Sequence, residues 1–377
     1  MKLTEYLSQW QNIVFLGFCV ITLIQVFYYL FFFARLAFYK SKSKNISQTH
    51  PVSVIICSRD EAANLVKNLP GALIQKYNTT HEVIVINDNS LDESKYILEE
   101  YQRTYRQLQL VELKQEARFI PGKKFPLSIG IKTAKHEIVL LTDADCVPAS
   151  EFWIEKMQEG FTGETEIVLG YGALHKKKGL LNKLTRWETF HTALQYLSYA
   201  SAGMAYMGVG RNLSYKKSVF FRHKGFSAHN HVPGGDDDLF INKAATKKNT
   251  AIVIDKDAFT LSDAPKTWRQ WIRQKNRHYT TSKYYKGIHK FLLGAYAFSH
   301  FLFYPLFIIT LLFVGWKLAL IVFGVRFILQ AIVLFNTTHK LDEKDLFPLF
   351  FILDIWMFFY YLIFSTSLFK KPKKKWK

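Results

Sequence analysis

Cysteine is scarce: the 377 residues hold three, Cys19, Cys57 and Cys146, with neither paired nor metal-like spacing. That excludes a disulfide-built scaffold and a cysteine-rich zinc module, and free thiols suit a reducing cytoplasm. Acidic residues are also in deficit, 30 against 50 Lys and Arg, for a net charge of +20. No recognised nucleic-acid module accompanies the basic excess. It therefore reads as attraction to an anionic lipid surface or an anionic substrate, and nucleic acid is not an expected partner. Internal repeats are missing, and the one low-complexity stretch is the tail "KKPKKKWK".

Charge disappears altogether from Ile13 to Ala34, "IVFLGFCVITLIQVFYYLFFFA", a run of the roughly 20 apolar residues needed to cross a bilayer as a helix. A secretory signal peptide would have a shorter apolar core and end in a small-residue cleavage site, and neither is present. The run reads as a retained anchor. Three more apolar segments follow, Phe291 to Trp316, Leu318 to Phe335 and Phe347 to Phe369, the first two separated by little more than "GWK", as in a tight transmembrane hairpin. Arg35, Lys40, Lys42 and Lys44 follow the first span and place that side in the cytoplasm. The expected organisation is an anchor over residues 1–44, a cytoplasmic domain over 45–290, and membrane segments with a basic tail over 291–377. The expected location is a membrane facing the cytoplasm, the bacterial inner membrane. Four full spans would put the basic tail outside, against the positive-inside rule. Arg326 and Asp354, inside apolar segments, suggest a buried pair between helices.

The central region alternates short β-branched runs with longer mixed segments. "VSVIIC" (52–57), "EVIVIN" (82–87), "LQLVEL" (108–113) and "EIVLLT" (137–142) are apolar on both faces, as in a parallel sheet covered by helices. Strand–helix alternation predicts a doubly wound, Rossmann-like α/β domain. In such sheets ligands bind beyond the carboxyl ends of the strands, and acidic residues recur there: "CSRDEAAN", "NDNSLDES" and "DADC". Singly these are ordinary turn residues and helix caps. Together with "GGDDDLF", where Asp236, Asp237 and Asp238 stand side by side, they mark a site.

"TDADC" sets Asp143 and Asp145 one small residue apart, so both carboxylates can approach one divalent cation. Hard oxygen ligands suit Mg²⁺ or Mn²⁺, which would neutralise a diphosphate leaving group. Asp88 and Asn89 offer directional hydrogen bonds to a base or ribose. Lys123 and Lys124, after a Pro-Gly turn, read either as a solvated loop or as partners of an anionic nucleotide. In "RQWIRQKNRHY" helical spacing puts Arg273 and Arg277 on one face, fit to clamp phosphate oxygens or to meet lipid headgroups. His223, His229 and His231 lie in a Gly/Pro-containing stretch that reads as a mobile loop near the acceptor rather than a rigid metal face. Asn-x-Ser/Thr matches at Asn78, Asn212 and Asn336 are expected by chance.

The ordered series "VSVIICSRDEAANL", "VIVINDNS", "GKKFPLSIGI", "LLTDADC", "GVGRNLSYKKSVF", "GGDDDLF" and "RQKNRHY" resembles membrane-bound family-2 glycosyltransferases with a GT-A catalytic domain. That group includes cellulose, hyaluronan and poly-N-acetylglucosamine synthases and lipid glycosyltransferases. The resemblance covers roughly residues 50 to 280. It implies a nucleotide-diphosphate sugar donor, a UDP-sugar foremost, and a lipid or saccharide acceptor. Asp88, Arg59, Glu61, Lys123 and Asp143 would contact the nucleotide sugar, and Asp143 and Asp145 the metal. One Asp of "GGDDDLF" would be the catalytic base, with Asp237 preferred and Asp236 or Asp238 a one-residue shift away. Gln274 and Arg277, with Arg273 and His278, would line the pyrophosphate and acceptor side. His278 stands where the family's Trp usually stacks on the acceptor sugar, Asp60 replaces a usual Asn, Cys57 a Pro and Ser128 an Asn. The missing Trp and the modest number of spans point to a single transfer as readily as to a polymer. The mechanism implied is an inverting displacement. Nucleotidyl transfer and a non-catalytic membrane scaffold are the competing readings. The segment after the three carboxylates reads as a helix start that favours anions, and neighbouring charge opposes that effect, so the direction of the base's pKa shift stays open.

Overall fold

The computed structural model describes residues 10–40, 50–114 and 122–366. The lysine-rich tail and the end of the last apolar segment lie outside these residues. The described chain forms two compact units, one drawn from Lys40 to Tyr285, the other from the residues up to Tyr39 together with those from Lys286 on.

In the first unit the β-branched runs become β1 (Val52–Ser58), β2 (His81–Asp88), β3 (Leu108–Leu113) and β4 (Ile138–Asp143). β1 pairs in parallel with β2 and β4, and β2 with β3. Every residue of β1 is buried, because strands flank it on both sides and helices cover its faces. β3 departs from the expectation of two apolar faces. It forms the sheet edge, and only Leu108 in it is buried.

Six short strands complete the unit: β5 (Cys146–Pro148), β6 (Ile167–Leu169), β7 (Gly172–Leu174), β8 (Leu213–Lys216), β9 (Thr250–Ile252) and β10 (Thr260–Ser262). The main sheet runs β3-β2-β1-β4-β8-β6-β9, with β8 antiparallel to β4 and β6, and a second sheet runs β5-β10-β7. Strand order reverses between β1 and β4, which opens a crevice at their carboxyl ends. The helix Lys124–Thr133 covers β1 and β2 closely. A Cβ on Gly130 would stand 2.6 Å from Ile86 Cδ1 and 2.7 Å from Ile55 Cγ2, so any larger residue would force these side chains or the helix to shift.

In the second unit four helical stretches are long and apolar enough to cross a membrane: Trp10–Ala37, Gly287–Phe313, Trp316–Lys340 and Lys344–Ser365. The tight hairpin appears as a break at Val314 and Gly315 between the second and third. Large apolar side chains face outward, among them Leu23, Leu312 and Ile352. Polar groups face inward: Arg326 Nη2 donates to Asp354 Oδ2 at 2.9 Å, Arg326 Nη1 to Gln330 at 3.0 Å, and Gln25, His300 and Tyr304 close the network. The Arg–Asp pair expected from sequence is therefore present, and nearly inaccessible to solvent.

Candidate active site

β4 ends at Asp143, which is in register with Cys57 at the end of β1, so the β-sheet itself delivers the first carboxylate to the crevice. Lys123, just ahead of the helix that Gly130 seats, reaches the same point. Its Nζ contacts Asp143 Oδ1 and lies 3.7 Å from Asp236 Oδ2. One ammonium thus joins the strand end to the triple-aspartate loop. Burial works against the charge of Lys123, but Asp143 and Asp236 hold its pKa well above the ordinary value. Burial likewise pushes Asp143 upward, and Lys123 outweighs it, with help from Arg211 and Arg277, so this carboxyl stays below the usual range. Asp145 goes the other way, raised by desolvation and then by Asp143.

Cys146 Sγ joins Asp143 and Asp145 in a group whose ligand atoms lie within 4.8 Å of one another. Burial and the two carboxylates push this thiol well above its ordinary value, and the two carboxylates are the hard oxygen donors of the group. That donor set fits Mg²⁺ or Mn²⁺.

The three adjacent aspartates have different surroundings. Asp237 caps the helix Asp238–Ala244: Oδ1 accepts from the Asp238 N–H at 2.7 Å and Oδ2 from the Gly210 N–H at 2.8 Å. Burial, then Asp236 and Asp238, nevertheless raise it to about 7, which answers the direction left open by the sequence. Asp238 is buried, with Oδ1 accepting from the Leu239 N–H at 2.7 Å and Oδ2 from Thr281 Oγ1 at 2.5 Å and Tyr285 Oη at 2.7 Å. Asp236 is half-buried and its carboxylate meets Lys123.

Lys124 separates from Lys123 despite their adjacency. It is wholly buried and donates to the carbonyls of His229 at 2.5 Å and Val232 at 2.8 Å. It therefore braces the loop leading into the aspartates and is not available to a nucleotide, which corrects the reading of the two lysines as an exposed pair. Gly122 supports the same junction: its φ is +82° and a Cβ would lie 2.2 Å from the Pro233 carbonyl oxygen. His229 is buried in this loop and burial lowers its pKa to about 4.

The loops after β1 and β2 are tied together. Leu91 N–H donates to Asp60 Oδ1 at 2.8 Å, Ala62 N–H to Asp92 Oδ2 at 2.9 Å and Glu61 N–H to Ser94 Oγ at 3.2 Å. Asp60 and Asn89 take positive φ, 53° and 51°, at the two bends. Arg59 lies 3.8 Å from Asp88, and Asn89 donates to Asp88 at 3.1 Å.

In the helix Trp268–Ser282, Trp271 is buried and Lys275 pairs with buried Glu188. Those contacts orient the helix. The charge of Arg277 reaches Asp143, Gln274 is half-buried, and Arg273 and His278 are exposed. Sequence reasoning missed Arg211. It follows Gly210, the amide that holds Asp237, its charge reaches Asp143 and Asp145, and its side chain fills the space above Gly172. The only signal was its place in "GVGRNLS". Asn212, one of the three chance Asn-x-Ser/Thr matches, is wholly buried and bonds Trp153, Tyr171 and Ala258.

The family model Glycosyl transferase family 2 matches residues 53–226. Among curated proteins, beta-monoglucosyldiacylglycerol synthase of Nostoc is 30% identical over 148 residues, 39% of this chain and 30% of its own length. Poly-beta-1,6-N-acetyl-D-glucosamine synthase of Staphylococcus epidermidis is 28% identical over 164 residues, 42% of this chain and 37% of its own. The chain thus spans only about a third of the length of these relatives. Among solved structures, mannosyltransferase PcManGT of Pyrobaculum calidifontis, in complex with GDP-Man and Mn²⁺, superposes with TM-score 0.58 at 17% identity, covering 94% of this chain and 100% of that one. Residues 53–226 thus match glycosyl transferase family 2, and the fold is the GT-A fold shared with that mannosyltransferase, in a chain that also holds four helices long and apolar enough to cross a membrane.

Proposed function

We propose that the chain is an inverting glycosyltransferase. It would move a sugar from a nucleoside-diphosphate sugar, a UDP-sugar foremost, to a membrane-associated lipid or saccharide acceptor on the cytoplasmic side. The observation that carries this reading is Lys123, whose single ammonium gathers Asp143 and Asp236 at the carboxyl ends of the parallel strands. The named activities of the relatives, a glycolipid synthase and a polysaccharide synthase, support the donor and acceptor classes. A structure of the same fold holding GDP-Man and Mn²⁺ is consistent with them.

Asp88 and Arg59 would meet the nucleoside, and Asp143 and Asp145 would hold Mg²⁺ or Mn²⁺. A bound divalent cation supplies charge neutralisation for the diphosphate. Lys123, Arg211 and Arg277 add fixed positive charge where the leaving group becomes more anionic. Gln274 would border the acceptor side, with Arg273 and His278 at its solvent edge.

We assign the base to Asp236 in preference to Asp237. Both oxygens of Asp237 already accept backbone N–H bonds, and Asp238 is buried among hydroxyl donors. Asp236 is half-buried, and its carboxylate lies 3.7 Å from the Lys123 ammonium at the carboxyl end of β4. It would take the acceptor hydroxyl proton as the new bond to the anomeric carbon forms and the bond to the nucleoside diphosphate breaks on the opposite face.

The test is nucleoside diphosphate release from membranes containing the protein, supplied with UDP- and GDP-sugars and Mg²⁺ or Mn²⁺. Asp236→Asn should lower release by two to four orders of magnitude. Release of pyrophosphate in place of nucleoside diphosphate would indicate nucleotidyl transfer. If no donor gives release above the Asp236→Asn background in membranes supplied with lipid and saccharide acceptors, the enzymatic reading fails.

A further inference from the structure

β7 and β10 pair in parallel, with Gly172 opposite Thr260 and Leu174 opposite Ser262. The two chain segments that follow, 175–183 and 263–273, therefore leave the same end of the small sheet side by side. They stay together: His175 N–H donates to the Ser262 carbonyl at 2.9 Å, and Lys177 Nζ lies 2.7 Å from Asp263. Residues far apart in sequence thus share one face. Lys176, Lys177 and Lys178 are exposed on one segment, Lys266, Arg269 and Arg273 on the other. The one acid in these two segments is Asp263, and it already pairs with Lys67 and Lys177. Large apolar side chains stand out among the cations: Leu180 is 66% exposed, Trp268 43% and Ile272 39%.

We propose that this face docks on an anionic lipid bilayer, the lysines and arginines meeting headgroup phosphates while Leu180, Trp268 and Ile272 enter the headgroup boundary. A cationic surface that also carries exposed Trp, Leu and Ile has the composition of interfacial elements. A surface built only to attract a soluble anion has no use for the apolar side chains. Chain connectivity agrees, because the helix bearing Trp268 ends at Ser282 and the apolar helix begins at Gly287. The proposal does not depend on the glycosyl-transfer reading.

The experiment uses the full chain in lipid nanodiscs. Cys57 and Cys146 are buried, so a Cys19→Ser background allows one environment-sensitive fluorophore to be attached at Leu180→Cys. Labels at Leu312→Cys, on the outward side of an apolar helix, and at Val66→Cys, an exposed site on the helix Ala62–Leu73, provide references. Quenching of the Leu312 label by lipid-borne spin labels establishes embedding. The expected result is that headgroup-level spin labels quench the Leu180 label, but not the Val66 label, in phosphatidylcholine discs containing phosphatidylglycerol. The triple change Lys176→Gln, Lys177→Gln and Lys178→Gln should weaken the preference for anionic discs by about tenfold or more. Quenching at Leu180 no stronger than at Val66, or equal in neutral and anionic discs and indifferent to the triple change, overturns the proposal. Nucleoside diphosphate release from the same discs reports the other reading separately.

Discussion

At the scale of single residues, Asp236, Asp237 and Asp238 divide into a carboxylate facing Lys123, a helix cap and a buried anchor for Thr281 and Tyr285. Asn caps a helix about as well as Asp, but its single oxygen can keep only one of the two N–H bonds that Asp237 accepts, so Asp237→Asn should fold with reduced stability and keep more of its nucleoside diphosphate release than Asp236→Asn. The reverse ranking would return the base to Asp237. A pH effect on stability follows from the upward shift of Asp237 to about 7. A carboxyl whose folded pKa exceeds its unfolded value contributes stability below the unfolded value and loses it as pH rises through the folded one. Melting temperature in detergent should therefore fall between about pH 4 and 7 more steeply in the wild type than in Asp237→Asn. Equal slopes would show that Asp237 is not shifted. The sequence showed three repelling charges at a helix start, but which one is held as a cap and which one meets an ammonium depends on Gly210 and Lys123, both distant along the chain.

Among elements, the junction between Gly122–Lys124 and the His229–Pro233 loop decides where those aspartates stand. Lys124→Met would leave two carbonyls without their donor, at a cost of about 1–3 kcal/mol, and should reduce turnover more than donor binding. Unchanged unfolding and unchanged turnover would rule out the bracing role. Gly130→Ala would force a Cβ against Ile86 and Ile55 and should cost about 1–3 kcal/mol through overpacking, read as a lower midpoint in thermal unfolding. The four parallel strands were legible because β-branched runs of that length announce buried strands. The strands β5, β7 and β10 were not, since three-residue strands hold no periodicity to detect. Arg211 escaped for a related reason, as its role comes from the space above Gly172 and not from any local pattern.

For the whole molecule, the four apolar helices carry a polar centre. Arg326 pairs with Asp354 in a network inaccessible to solvent. Removing one partner leaves an uncompensated buried charge, so Arg326→Met should destabilise by about 3–5 kcal/mol, whereas Arg326→Met with Asp354→Leu should recover most of the loss. Detergent-resistant folded protein, measured by size-exclusion recovery after heating, reports both. Additive losses would show that the two residues do not act as a pair.

By itself the sequence determined the apolar spans, the parallel strand runs and the order of acidic loops, because each of these is written in consecutive residues through period, length and charge. Tertiary structure alone decided that Lys123 joins Asp143 to Asp236, that Lys124 turns inward, and that the segments after β7 and β10 share a basic, apolar-studded face. Those outcomes depend on which strand ends meet, on how closely Gly122 lets the Pro233 carbonyl approach and on how closely Gly130 seats its helix on Ile86 and Ile55, and such distances are set by packing rather than by neighbours in the chain.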